Sequence, residues 1–146
     1  MFTPHFTLHE LLRSDSEQRQ KSNLQNVSYT DIQNLHRLCT DILEPVRTEF
    51  GYPITINSGY RSPFTNGQVG GAANSLHLSG CAVDFTIKER ASLFAMYDYI
   101  RTHFEYAELI LYKDRNYDSR FIHVACDYSP KLFDAPQRKM AKVVVR

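Results

Sequence analysis

The sequence predicts an α+β domain in which a small, mainly antiparallel sheet is packed by helices. Three observations carry this. Residues 32–50 place apolar side chains at three- and four-residue steps, the period of a helix. From residue 54 onward, short alternating runs take over, the period of a half-buried strand. Two of those runs, 107–112 and 120–126, flank the turn "KDRNYDS" closely enough to form an antiparallel hairpin. The length of 146 residues suits one domain, 1–146, with a helical part over about 1–50 and a sheet part over about 54–128.

Each element has its own signal. Thr7 and Glu10 make the pattern of a capping box, opening a short helix through about Leu12. Residues 13–26, "RSDSEQRQKSNLQN", are polar and read as a loop, with a solvated helical turn at Glu17–Lys21 at most. Ser28 to Asp31 resembles a second cap. Ile32, Leu35, Leu38, Cys39, Ile42, Val46 and Phe50 then form one stripe, which predicts a helix over about 29–50. Pro45 lacks a backbone donor and predicts a kink within it. "GYP" at Gly51 ends the run.

"ITINS", 54–58, alternates as a strand. Residues 59–75 read as a long loop with a helical turn near Phe64–Val69, and loops of that length are usually functional. "AVDFTI" follows, with Val83, Phe85 and Ile87 on one face and Ala82, Asp84 and Thr86 on the other. "ASLFAMYDYIRTHF" carries Leu93, Phe94, Tyr97, Ile100 and Phe104 at helical spacing. The tail "KVVVR" reads as a final edge strand.

Composition narrows the function classes. A net charge of +1 gives no footprint for nucleic acid or an anionic membrane. No apolar run approaches ~18 residues, so no membrane span is expected. Three cysteines without a C-x-x-C pair argue against a disulfide framework and read as small buried hydrophobes. "NGQVGGAAN" lacks the Lys-Ser/Thr of a phosphate loop. His5, His9, His36 and His103 have no motif context.

Two polar residues stand inside apolar strands, Asp84 in "AVDFTI" and His123 in "RFIHVAC". A carboxylate in a core is costly unless it is paired or bound to metal. If these strands are neighbours with the right faces aligned, Asp84 and His123 converge, and His77 enters from the preceding turn. Two imidazoles and a carboxylate leave a fourth tetrahedral position open, the pattern of a catalytic zinc site. The competing reading is a hydrogen-bonded core histidine and an aspartate bonded to turn amides.

"SLHLSGCAVD" fits S-x-H-x-x-G-x-A-x-D, with Ser75, His77, Gly80, Ala82 and Asp84 all in place. On these residues, and on "INSGYRSPFTNGQVGGAANS" upstream and "FIHVA" downstream, the chain resembles the zinc D-alanyl-D-alanine peptidases. Those are peptidoglycan peptidases with the fold of the Hedgehog signalling domain. The likeness spans about residues 5 to 128. It implies Zn2+ held by His77, Asp84 and His123, and hydrolysis of an amide bond in cell-wall stem peptides. Arg61 looks like the arginine that anchors a substrate carboxylate, a role suited to a planar guanidinium. Ser75 either bonds substrate or caps the turn holding His77. The alternative function is a catalytically impaired relative that binds muropeptides or another partner. An N-terminus without a secretory pattern leads to the expectation of synthesis in the cytoplasm and action on the wall after release or export by another route.

The pattern breaks at the proton-handling residue. Many relatives carry an acid three residues before the last histidine, where this chain has Arg120. Others carry one at the end of the preceding strand, which aligns with Tyr112. The candidates for general base are therefore Asp118, favoured for its proximity to His123, Asp114, and more weakly Glu108. Tyr112 is a candidate hydroxyl donor.

Overall fold

The computed structural model describes residues 2–129 and 137–146. It is a mixed α+β structure: a five-stranded sheet with helices gathered on one face. The first helix, α1 (Leu8–Leu12), has the expected capping box, with Thr7 and Glu10 bonding each other's backbone. The segment expected as loop is instead mostly helix: α2 runs Glu17–Asn26. Ser16 caps it through the Arg19 amide. The buried Asn23 ties it down, donating to the Leu12 carbonyl and accepting the Ser62 N–H. A polar helix held by tertiary hydrogen bonds, with Ser22 on Ser62 and Arg19 on Gln68 beside the Asn23 pair, has no apolar stripe, so periodicity cannot reveal it.

The stripe over 29–50 forms one helical run in three parts: α3 (Tyr29–Leu38), a π turn (Cys39–Leu43) and α4 (Glu44–Phe50). Pro45 explains the middle part. Its ring removes the donor to the carbonyl four residues back, and the chain widens to a bond from the Glu44 N–H to the Cys39 carbonyl. Gly51, at φ 72°, ends the run in the left-handed conformation.

Strand β1 (Thr55–Ser58) leads into the long loop, which carries α5 (Pro63–Gln68) and a 3-10 turn (Leu76–Ser79). Then come β2 (Ala82–Thr86), a 3-10 turn (Arg90–Ser92), α6 (Leu93–His103), β3 (Glu108–Lys113), β4 (Ser119–Ala125) and β5 (Met140–Val145). The sheet order is β1-β2-β4-β3-β5. All pairs are antiparallel except β3 with β5, which are parallel, so the tail strand does form one edge.

Alternation divides the sheet. Ile56, Val83, Phe85, Leu109, Leu111, Ile122 and Val124 are buried against Leu35, Leu38, Ile42, Leu93, Met96 and Ile100 of the helices. Burying each such side chain fully is worth about 1.5–3 kcal/mol. The opposite face carries Ser58, Asp84, His123, Glu108, Ile110 and Tyr112. The three cysteines are buried and unpaired. No helix among the described residues is long and apolar enough to cross a membrane.

Candidate metal centre

The site is built where β2 meets β4. Asp84 and His123 are direct cross-strand partners, so the chain's two core-embedded polar residues face each other. His123 Nδ1 lies 2.8 Å from Asp84 Oδ1. His77 comes from the 3-10 turn before β2 and places Nε2 3.3 Å from the same oxygen. One ligand-capable atom from each of His77, Asp84 and His123 lies within 4.8 Å of the others.

Two glycines allow His77 to reach this point. Gly80 closes its turn at φ 72°, and a Cβ there would sit 2.3 Å from the Asp31 carbonyl oxygen of α3. Both the conformation and the close approach require glycine. Gly59 lies against the Leu11 carbonyl, where a Cβ would come within 2.3 Å. The Gly59 carbonyl in turn accepts the His77 Nδ1–H at 2.7 Å. That bond orients the ring and points Nε2 at Asp84. The Ser75 hydroxyl accepts the His77 N–H at 3.2 Å, so Ser75 caps the turn.

The donor set fits zinc. Zn–N distances of about 2.0–2.1 Å in a tetrahedron separate neighbouring ligands by roughly 3.3 Å. The His77–Asp84 separation of 3.3 Å already has that value. His123 and Asp84, now sharing a hydrogen bond at 2.8 Å, would open by about half an ångström.

Electrostatics follow from this crowding. Burial works to raise the Asp84 pKa, but the pull of His77 and the hydrogen bond from His123 outweigh it and hold the carboxyl well below its usual range. Burial works to lower the His123 pKa, but hydrogen bonds to Asp84 and Glu108 lift it to about 9. Before any metal binds, this geometry favours a protonated His123 imidazole between the carboxylates of Asp84 and Glu108.

Glu108 is the carboxylate that sequence reasoning ranked last, and the fold brings it to the centre. It projects from β3 on the same face as Ile110, the register partner of His123. Its Oε1 lies 2.9 Å from His123 Nε2. That hydrogen bond, against the opposing effect of burial, holds the Glu108 pKa below its ordinary value. The side chain is 40% exposed. It lines a pocket of about 360 Å3 together with Asn74, Leu76 and Arg138.

Asp114 and Asp118 stay away from the cluster. Asp114 Oδ1 accepts the Asn116 and Asp118 amides within the β3–β4 turn. Asp118 is exposed there, and five residues at ~3.3 Å each place it on the order of 16 Å from His123. The preference for Asp118 rested on sequence proximity, which a strand converts into distance. Arg120 is exposed and sits at the register shift between the Tyr112–Phe121 and Lys113–Ser119 pairs, so strand alternation does not set its face.

Tyr112 does sit on the site face. Its ring stacks on Phe121 at 4.6 Å, with the Arg146 guanidinium 4.3 Å from its centroid. Burial raises its pKa, so the phenol stays protonated as a donor. Arg61 donates from Nε to Ser58 Oγ at 3.0 Å and from Nη2 to Asp84 Oδ2 at 3.3 Å. Ser58 went unnoticed in the sequence. A register shift between Ile56 and Ser58 turns it onto Asp84, and nothing in "ITINS" announces that bulge.

A family model described as Peptidase M15 matches residues 4–125, most of the chain, and the chain belongs to that family. No curated protein matches it.

Proposed function

We propose that this peptidase M15 member is a zinc-dependent peptidoglycan peptidase that hydrolyses an amide bond in cell-wall stem peptides. The observation that carries the reading is the group His77, Asp84 and His123, converging within 4.8 Å in a chain of a zinc peptidase family. These three residues would hold the metal. Bound zinc would supply a water of pKa near 7 and polarise the substrate carbonyl.

The rest falls to the chain's own groups. Glu108 orients His123 through Oε1 and takes the water's proton at Oε2, which carries no hydrogen bond among the described residues. It is ionised at neutral pH, as a proton acceptor must be. Arg61, already aimed at the cluster, anchors a substrate carboxylate. Tyr112 presents a protonated phenol beside it. On this reading the protein would act at the cell wall.

A second reading has its own observation. With an arginine at position 120 where an acid was expected, and Asp114 and Asp118 in the turn, proton transfer depends on Glu108 alone among the candidate acids. A chain that binds muropeptides and cleaves them slowly would look the same at the metal ligands.

Metal analysis and digestion test both. About one zinc per chain is expected, lost in each of His77→Ala, Asp84→Ala and His123→Ala. Mass spectrometry of purified peptidoglycan should show new stem-peptide ends that a chelator suppresses. Zinc-free intact protein at neutral pH would remove the metallopeptidase reading. Zinc with no new ends would leave the binder.

A further inference from the structure

The site face of the sheet carries polar groups in a line across the strands rather than along one. Ser58 and Arg61 stand at the β1 end, then Asp84 on β2, His123 on β4 and Glu108 on β3. Beyond Glu108 the line reaches β5, whose Met140 is the register partner of Glu108. Arg138, two residues before Met140, lines the 360 Å3 pocket there with Glu108, Asn74 and Leu76. Its charge reaches Glu108, whose pKa it helps to lower. Arg138 is exposed and forms no ion pair among the described residues. Asp127 also lines this pocket, but its Oδ1 takes both the Ser129 amide, at 3.0 Å, and the Ser129 hydroxyl, at 2.6 Å.

We propose that Arg138 is a specificity determinant that binds a second acidic group of the substrate, at the end of the site face opposite Arg61. This rests on the peptidase reading and deepens it. The spacing gives the position of that group. Asp84, where Arg61 is aimed, lies on β2, and β5 is three strand steps away. At ~4.8 Å per step that is roughly 14 Å to Lys142, the β5 residue in row with Asp84, and Arg138 lies four residues before Lys142; its side chain reaches back to line the pocket with Glu108, leaving a gap that about four extended residues and an acidic side chain of the substrate can span. A peptide whose terminal carboxylate sits on Arg61 crosses the metal cluster with its last amide bond. It then brings the residue three places before its C-terminal one to Arg138. A carboxylate there meets a guanidinium able to grip both oxygens. An amide of the same shape meets a donor set that it can satisfy only in part.

The test uses two N-terminally fluorescein-labelled pentapeptides ending in D-Ala-D-Ala, one with Glu and one with Gln three residues before the C-terminal residue. Anisotropy on the zinc-loaded protein reads binding without needing turnover. The acidic peptide should bind about 10-fold tighter, the scale of one charge-assisted pair at a partly exposed site. Arg138→Ala should bring it down to the level of the amide peptide. Arg138→Lys should keep most of the preference. A preference that survives Arg138→Ala, or none in the native protein, overturns the proposal. Cleavage of both peptides is followed in parallel. Cleavage without an Arg138-dependent preference overturns this inference and leaves the peptidase reading. An Arg138-dependent preference with no cleavage does the reverse.

Discussion

Glu108→Gln separates orienting from proton transfer at one residue. The glutamine carbonyl can still accept from His123 Nε2, where Oε1 now sits at 2.9 Å, so the metal ligand keeps its orientation. What the amide cannot do is take a proton. If Glu108 serves as the base, kcat should fall about 10²–10⁴-fold, the usual worth of a positioned general base. Zinc content should stay near one per chain. A second readout comes from the metal-free protein. Two carboxylates lift His123 from 6.5 to about 9, which corresponds to about 3 kcal/mol in favour of the charged ring. Without the Glu108 charge the His123 pKa should drop toward 6.5 but not reach it, because Asp84 still faces Nδ1. Stopped-flow hydrolysis of a stem-peptide substrate gives kcat, and NMR titration of the chelated protein gives the imidazole pKa. A drop in kcat of less than about 10-fold, with zinc retained, would refute proton transfer at Glu108. It would leave this residue an orienting role alone.

Three further outcomes are expected. Zinc binding near pH 7.5 should release about one proton, because His123 must lose the one it holds with its pKa at about 9. Calorimetry in buffers of different ionisation enthalpy measures it, and zero release would contradict the raised pKa. In the chelated protein, the His123 contribution to stability is fully present below about pH 6.5 and lost as pH rises through about 9, while that of Asp84, its pKa depressed, is present above about 3.9 and lost in acid. Thermal melts of chelated protein should therefore fall between pH 6.5 and 9, and a flat profile there would sink the argument. Gly80→Ala should cost at least about 2 kcal/mol, from the left-handed backbone and the 2.3 Å approach to the Asp31 carbonyl. Denaturant titration measures that cost, and a loss under about 0.5 kcal/mol would mean that the turn relaxes freely.

Much of this was legible in local pattern. The capping box at Thr7, the stripe from Ile32 to Phe50 and the alternation around Asp84 each bind a few consecutive residues to one face of one element. The period of a helix or strand is set by backbone geometry, so it survives in sequence whatever the element packs against. Even the response to Pro45 was local, since a missing N–H affects a carbonyl only four residues away. Asp84 and His123 stood out for the same reason: a polar residue in an apolar alternation must find a partner.

What sequence alone determined, then, was most of the elements, the faces of the strands around the site, and the three side chains able to meet a metal. Tertiary structure decided who meets whom. The register of β3 on β4 brings Glu108 to His123 and leaves Asp118 in the turn, although Asp118 is much nearer in the chain. The buried Asn23 makes a helix of a polar stretch by reaching Leu12 and Ser62. The bulge beside Ser58 turns it to Arg61. Parallel pairing of β5 with β3 sets Arg138 beside Glu108. The physical reason is common to all four. Strand pairing and buried hydrogen bonds join residues far apart in the chain, and their register is chosen by the packing of whole faces, which no short window of sequence contains.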